Sequence, residues 1–369
     1  KSRLLGENPC NVERVFKQIK QFGPHGRQGG GGSGVEMALW DLVGKAYGVP
    51  VYQVLGGQYR DRVRLYTDTT QSSDKQEYAR RLKERADRGF KYLKMDLGIS
   101  LIWDLPGVLT VPGGFDWRSY SRTRHPFTQI EITEKGIKLL CEYVAAVREA
   151  IGDEIPLAAD HFGHVGVNSC IRLGKALETY HMAWLEDMIP WQYTDLWKQI
   201  TDAVDIPTLT GEDIYLKEPF LELCRHHAVD MIHPDLATSG GILETKKIGD
   251  LAQEHGVAMA LHFAGTPIAF MANLHCAAAT ENFVALEHHS VDQNYRAHVH
   301  LGISSNSKDG GYFQKIVFAH LEISLDFGLR WSRAPRHHRY WKQYHLRSVS
   351  YTHQTLPTNT NAGRSRWWA

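Results

Sequence analysis

VDMIHPDLATSGGILETKKIGDLAQEHGVAMALHF, residues 229–263, decides the fold of this chain. Two apolar runs, VDMIHPD (229–235) and VAMALHF (257–263), flank SGGILETKKIGDLAQEHG, whose apolar residues recur at helical spacing. Strand, helix and strand in that order form the repeating unit of a parallel sheet with helices on its faces. The same alternation runs outward in both directions. Candidate strands are VRLYT (63–67), KYLKMDL (91–97), IPLAAD (155–160), MAWLED (182–187) and IPTLTGE (206–212) upstream, and FVALEH (283–288) downstream. Amphipathic stretches such as EKGIKLLCEYVAAVREAIG (134–152) lie between most of them. About eight strands in such a row predict a closed barrel rather than an open sheet.

Outside this rhythm the chain has three other parts. Residues 1–60 include a glycine run, RQGGGGSG (27–34), followed by an apolar-periodic helix with Val35, Ala38, Leu39, Leu42 and Val43 on one face. No GKS or GKT follows the glycines and no strand precedes them, so they read as a loop rather than a phosphate cradle. Residues 99–132, rich in Arg, Trp, Tyr, Pro and Gly, form a long insertion after the second strand, the kind of segment that closes over a site or stays disordered. Residues 293–369 break the pattern and are rich in His, Arg, Tyr and Ser. They are expected to be frameshifted or non-native sequence, or else an unusual genuine tail. The expected division is therefore 1–60, a barrel over 61–292, and the tail 293–369.

Composition narrows the function classes. Of 369 residues 43% are hydrophobic and 22% charged, with a formal net charge of +1, so no basic excess points to nucleic acid. No apolar run reaches the ~18 residues a membrane span needs. The opening KSRLLGENPC has no charged-then-apolar leader. Five dispersed cysteines, Cys10, Cys141, Cys170, Cys224 and Cys276, read as reduced thiols of a cytoplasmic protein.

The chemistry sits at the strand ends. Asp160, Glu186, Glu212, Asp235, His262 and Glu287 each close a candidate strand. In a parallel barrel these ends share one mouth, so the side chains converge. Clustered carboxylates repel one another unless their pKa values rise or a cation neutralises them. Oxygen ligands without cysteine favour Mg2+ or Mn2+ over zinc. Asp160, Glu186 and Glu212 are the candidate ligands. Any one acid taken alone is better read as the cap of a following helix; the whole series is not. The spacing is regular: 26 residues from Asp160 to Glu186, 26 to Glu212, 23 to Asp235 and 27 to His262. HPDLATSGGI (233–242) is read as a tight strand-to-helix turn rather than an anion site. Trp184, Trp191 and Trp197 are read as packing residues.

Taken together, KMD (94–96), AADH, WLED, TGED, HPDLATSGGI, LHFAGTP and ALEH resemble the enolase superfamily, within it the mandelate racemase/muconate lactonizing enzyme branch, over roughly residues 33–292. The resemblance implies a (β/α)7β TIM-like barrel with an N-terminal α+β capping domain, of which residues 1–60 would be a truncated remnant. It implies that Asp160, Glu186 and Glu212 bind Mg2+. It also makes His262 the base that removes the proton α to a substrate carboxylate, with Asp235 orienting it and Glu287 near that carboxylate. Lys94 matches the first lysine of the branch's Lys-x-Lys, but Asp96 stands where racemases carry the second. Racemisation wants a base on each face, whereas β-elimination needs one base and an acid, so Asp96 favours dehydration. His262 itself, His161 or His164 could supply the acid. Related sugar-acid dehydratases place a histidine where Phe162 stands here. The insertion resembles the long second-strand loop of mannonate-type dehydratases, and Arg118, Tyr120, Arg122 and Arg124 could bind the acid sugar through it. The expectation is a Mg2+-dependent dehydratase of a small acid sugar, a homo-oligomer when full length. The alternatives are a 2-hydroxy-acid racemase or epimerase, or an inactive truncated barrel that only binds ligand.

Overall fold

The computed structural model describes residues 3–20, 31–112, 127–160, 165–289 and the backbone of 313–315. Its strands are β1 (Arg62–Tyr66), β2 (Leu93–Asp96), β3 (Leu109–Thr110), β4 (Glu131–Ile132), β5 (Leu157–Asp160), β6 (Leu185–Glu186), β7 (Thr208–Thr210), β8 (Met231–Ile232), β9 (Ala258–Leu261), β10 (Phe283–Glu287) and β11 (Phe313–Lys315). All eight candidate strands from the sequence are present; the first is shifted by one residue, and the others are shorter than their apolar runs because turns consume the ends. Neighbours in the order β1-β10-β9-β8-β7-β6-β5-β2 pair in parallel. A parallel bridge between Thr67 and Leu93 then returns β2 to β1, with the Lys94 N–H donating to the Thr67 carbonyl at 2.8 Å. The barrel is closed by that contact. On the edge away from β10, β1 also pairs antiparallel with β11, which lies in the stretch set apart in the sequence. The insertion folds at its base into the antiparallel pair β3–β4.

Side-chain alternation divides the strands into an interior and an exterior face. Tyr66, Tyr92, Trp184, Leu209 and the small Ala158, Ala260 and Ala285 fill the barrel interior. The outward residues, among them Leu93, Met95, Leu157, Ala159 and Leu185, join the helices in the main core. Each such fully buried leucine contributes about 1.5–3 kcal/mol. Local signals place the helices: Asp74 caps Lys75–Asp87, Thr133 caps Glu134–Ile151, and Thr266 with Pro267 at the first position starts Pro267–Ala279.

The N-terminal helices Val12–Ile19 and Gly32–Tyr47 dock on the barrel rather than standing apart. Val12, Val15, Met37, Trp40 and Val43 pack against Leu236, Ile242, Ala272 and Cys276. A buried carboxylate fixes the joint. Glu36 accepts from the N–H groups of Ile242 and Leu243 at 2.6 and 2.9 Å and from Trp40 Nε1 at 2.7 Å. It thereby satisfies the open N-terminus of the helix Ile242–Glu254. Gly240 and Gly241 make the turn before that helix at φ 128° and 98°. A Cβ on Gly241 would fall 2.0 Å from the Glu36 carboxylate. HPDLATSGGI is thus a turn, as read from sequence, and its helix N-terminus also holds the carboxyl group of the chain's own Glu36.

All five cysteines are unpaired, and Cys170, Cys224 and Cys276 are buried. Among the described residues no helix is long and apolar enough to cross a membrane.

Candidate active site

Lys94 points from β2 into the carboxyl end of the barrel, where its ammonium is buried. It lies 2.9 Å from Asp160, 3.0 Å from Glu186 and 3.1 Å from Glu287, which project from β5, β6 and β10. Burial alone would lower its pKa. The three carboxylates outweigh that cost and raise it well above the usual lysine value. Burial and Asp160 push Glu186 upward, yet His233 and Lys94 prevail and hold it below the usual carboxylate value. For Glu287, Lys94 and His262 overcome burial and bring it down to about 2.

His262 follows β9, and Asp235 follows β8 across a parallel bridge. The imidazole Nδ1 sits 2.8 Å from Asp235 Oδ2, while Nε2 lies 3.0 Å from Glu212 and 3.6 Å from Glu287. Asp235 serves twice: its other oxygen accepts from the Thr238 N–H at 2.9 Å and caps the helix Leu236–Ser239. The capping role that suits any single acid in the series is real here, and it leaves Oδ2 free to orient the histidine. Burial opposes the charge on His262, but Glu212, Glu287 and Asp235 raise its pKa well above the usual imidazole value. Burial with the charges of Asp160 and Glu186 raises Glu212 in turn, against the pull of His262.

Among the described residues, two groups at this mouth bring ligand atoms close enough to hold an ion: Asp160 with Glu186 and Asp187, and Glu186 with Glu212 and His233. Glu186 belongs to both. A third, Asp68 with Glu287 and His289, lies at the ends of β1 and β10. The donors are almost all carboxylate oxygen, which suits a hard divalent cation. Asp160, Glu186, Asp187, Glu212 and Glu287 crowd around Lys94 and His262, leaving an excess of negative charge for a cation to offset. Asp96 ends β2 in register with Asp160, on the same strand face as Lys94. His161, His164, Arg118, Tyr120, Arg122 and Arg124 lie outside the described residues.

Sequence reasoning missed several neighbours of these groups. His233 is buried 3.1 Å from Glu186, and it stands two residues before Asp235, so strand alternation could have found it. Trp184 packs in the barrel as expected but also donates Nε1–H to Glu186 at 2.9 Å. Tyr66 reaches both His233 and Glu287. Asp187 adopts φ 48°, a left-handed conformation costly for a residue with a Cβ, and takes a 2.5 Å hydrogen bond from the Thr210 hydroxyl. Nothing in the sequence signalled that strain.

A closed parallel barrel with carboxylates and an Asp–His pair converging on its C-terminal mouth defines an enzyme of the (β/α)-barrel class. Comparison with known proteins makes the class specific. Residues 77–313 match the enolase C-terminal domain-like family and residues 1–56 the N-terminal domain of mandelate racemase/muconate lactonizing enzymes. The chain belongs to the mandelate racemase/muconate lactonizing enzyme branch of the enolase superfamily. It is 37% identical over 302 residues to the D-xylonate dehydratase of Haloferax volcanii, covering 78% of this chain and 67% of that protein. The arabinonate dehydratase of Saccharolobus solfataricus is 29% identical over 283 residues, covering 76% and 67%. A mandelate racemase/muconate lactonizing enzyme-like protein from Rubrobacter xylanophilus superposes with a TM-score of 0.70 at 32% identity, covering 79% of this chain and 75% of that one.

Proposed function

We propose that this chain is a hydro-lyase that dehydrates an acid sugar, an aldonate or aldarate, to the 2-keto-3-deoxy acid in a Mg2+-dependent reaction. The observation that carries the proposal is His262 held through Nδ1 by Asp235, with Nε2 directed at the carboxylates of Glu212 and Glu287. The relatives named as sugar-acid dehydratases support the substrate class.

Asp160, Glu186 and Glu212 would hold Mg2+, with Mn2+ as a substitute. Once bound, the ion supplies positive charge where negative charge develops on the substrate carboxylate as the α-proton leaves. His262 Nε2 takes that proton, and Asp235 fixes the imidazole orientation and stabilises its charged form. Lys94 and Glu287 stand beside the same carboxylate. The β-carbon–oxygen bond then breaks, and the hydroxyl leaves as water with a proton from His262 in a syn elimination, or from His161 or His164. The enol that remains takes up a proton at C3 to give the keto acid. Asp96, in place of a second lysine base, disfavours racemisation. Arg118, Tyr120, Arg122 and Arg124 would bind the sugar hydroxyls and carboxylate. We assign this chemistry to a barrel of residues 61–292, served by a cap that includes residues 1–60, in the cytoplasm.

A panel of aldonates and aldarates, assayed for keto-acid formation in H2O and D2O with Mg2+ or with EDTA, tests the proposal. Keto product from at least one acid sugar, lost in EDTA, is expected. Exchange of the α-proton with stereoinversion and no keto product would make the protein a racemase or epimerase instead.

A further inference from the structure

Behind the reacting residues five side chains from five different strands or strand ends close into a ring. The Tyr66 hydroxyl on β1 donates to Glu287 Oε2 at 3.1 Å and lies 2.6 Å from His233 Nε2. His233 Nδ1 stands 3.1 Å from Glu186 Oε1, an ion-pair contact rather than an aligned hydrogen bond. That same oxygen is 3.0 Å from Lys94 Nζ, and Lys94 is 3.1 Å from Glu287 Oε1, which returns the path to Tyr66. All five residues are buried. Glu186 has its other oxygen committed to Trp184 Nε1 at 2.9 Å. The ring spans the barrel from β1 and β10 on one side to β6 on the other, through its interior.

We propose that Tyr66 and His233 are positioning residues that tie the orientation of Glu186, on the cation side of the site, to that of Glu287, on the substrate-carboxylate side. This inference rests on the reading of the site given above. A carboxylate in a tightly packed interior keeps one orientation only if each oxygen has a fixed partner. For Glu186 those partners are Lys94, His233 and Trp184. For Glu287 they are Lys94, Tyr66 and the Phe263 N–H, 3.2 Å away. Lys94 is common to both, and Tyr66–His233 supplies a second, independent connection. Tyr66 makes no hydrogen bond to Asp160, Glu186 or Glu212, so its effect on cation affinity passes along the ring, through His233 or through Glu287 and Lys94.

The test is a double-mutant cycle of Tyr66→Phe and His233→Asn, read first by titrating the metal-free proteins with Mn2+. Second-sphere partners are worth about 10–100-fold in metal affinity. His233→Asn is expected to weaken Mn2+ binding within that range, and Tyr66→Phe several-fold although it removes one oxygen remote from the ligands. The double variant is expected to lose less than the product of the two single fold-losses, the non-additivity of residues in one connected ring. In turnover, Tyr66→Phe should lower kcat more than it raises KM. Wild-type Mn2+ affinity in Tyr66→Phe, or strictly additive losses, would overturn the ring while leaving the dehydratase proposal standing. Coupled Mn2+ losses in the variants, with a wild-type protein that dehydrates no acid sugar, would instead keep the ring and defeat the substrate proposal. A wild-type protein that binds no Mn2+ would overturn both.

Discussion

Lys94 carries a full charge into a dry interior, and taking such an ion out of water costs several kcal/mol unless its partners offset it. Asp160, Glu186 and Glu287 do so at 2.9–3.1 Å, and the cost is mutual, because without the ammonium they would be left as uncompensated buried anions. Replacing Lys94 by Met should therefore lower stability by about 3–5 kcal/mol in EDTA, the usual result of breaking a buried pair from one side. Mg2+ should restore more of the melting temperature in the variant than it adds to the wild type, since the cation then takes over part of the lysine's role. Thermal melts of both proteins with and without Mg2+ decide this, and equal melting temperatures in EDTA would contradict it. The strand-end rule exposed Asp160, Glu186, Glu212, Asp235, His262 and Glu287 in the sequence, whereas Lys94 came from the resemblance to the branch's Lys-x-Lys. The rule did not expose Tyr66, whose role comes from partners on distant strands, nor the backbone strain at Asp187, because neither leaves a local pattern.

At the level of elements, the N-terminal helix Gly32–Tyr47 and the barrel helix Ile242–Glu254 are joined by one carboxylate. Burial pushes Glu36 up to about 8, although the N–H groups of Leu243, Ile242 and Trp40 pull it down. In the unfolded chain it titrates near 4.5. The raised folded value means that its contribution is fully present below pH ~4.5 and is lost as pH climbs toward ~8, where the unfolded state sheds the proton first. Melting temperatures should therefore decline from pH 5 to pH 8 in the wild type. In Glu36→Gln they should start lower, because an amide cannot accept from every donor, and follow a flatter profile over that interval. Parallel profiles would show that Glu36 is not the titrating group. Gly241→Ala tests the same joint sterically: a methyl group 2.0 Å from the carboxylate, at φ 98°, should cost at least ~1–3 kcal/mol in denaturant unfolding. An unchanged midpoint would mean that the helices do not meet as described. The glycine pair was legible in sequence as a turn. Its acid partner, 205 residues upstream of Gly241, was not, because periodicity places Glu36 on a helix without saying what the helix meets.

For the molecule as a whole, hydrophobic alternation was enough to order eight strands and infer closure, since each βα unit buries its strand on both faces. The closing contact, Thr67 with Leu93, and the pairing of β11 with β1 depend on long-range geometry and could not be read that way. The barrel turns dispersed strand ends into one charged mouth, and His262 is the group there on which the proposed chemistry depends. The most direct measurement is keto-acid formation by wild type and His262→Asn on an acid sugar the wild type consumes, with Mn2+ affinity measured on both. Loss of product by at least about a thousandfold, with Mn2+ bound nearly as tightly, is the expected result for removal of an acid–base group. Dehydration that persists in His262→Asn would contradict the assignment of the base.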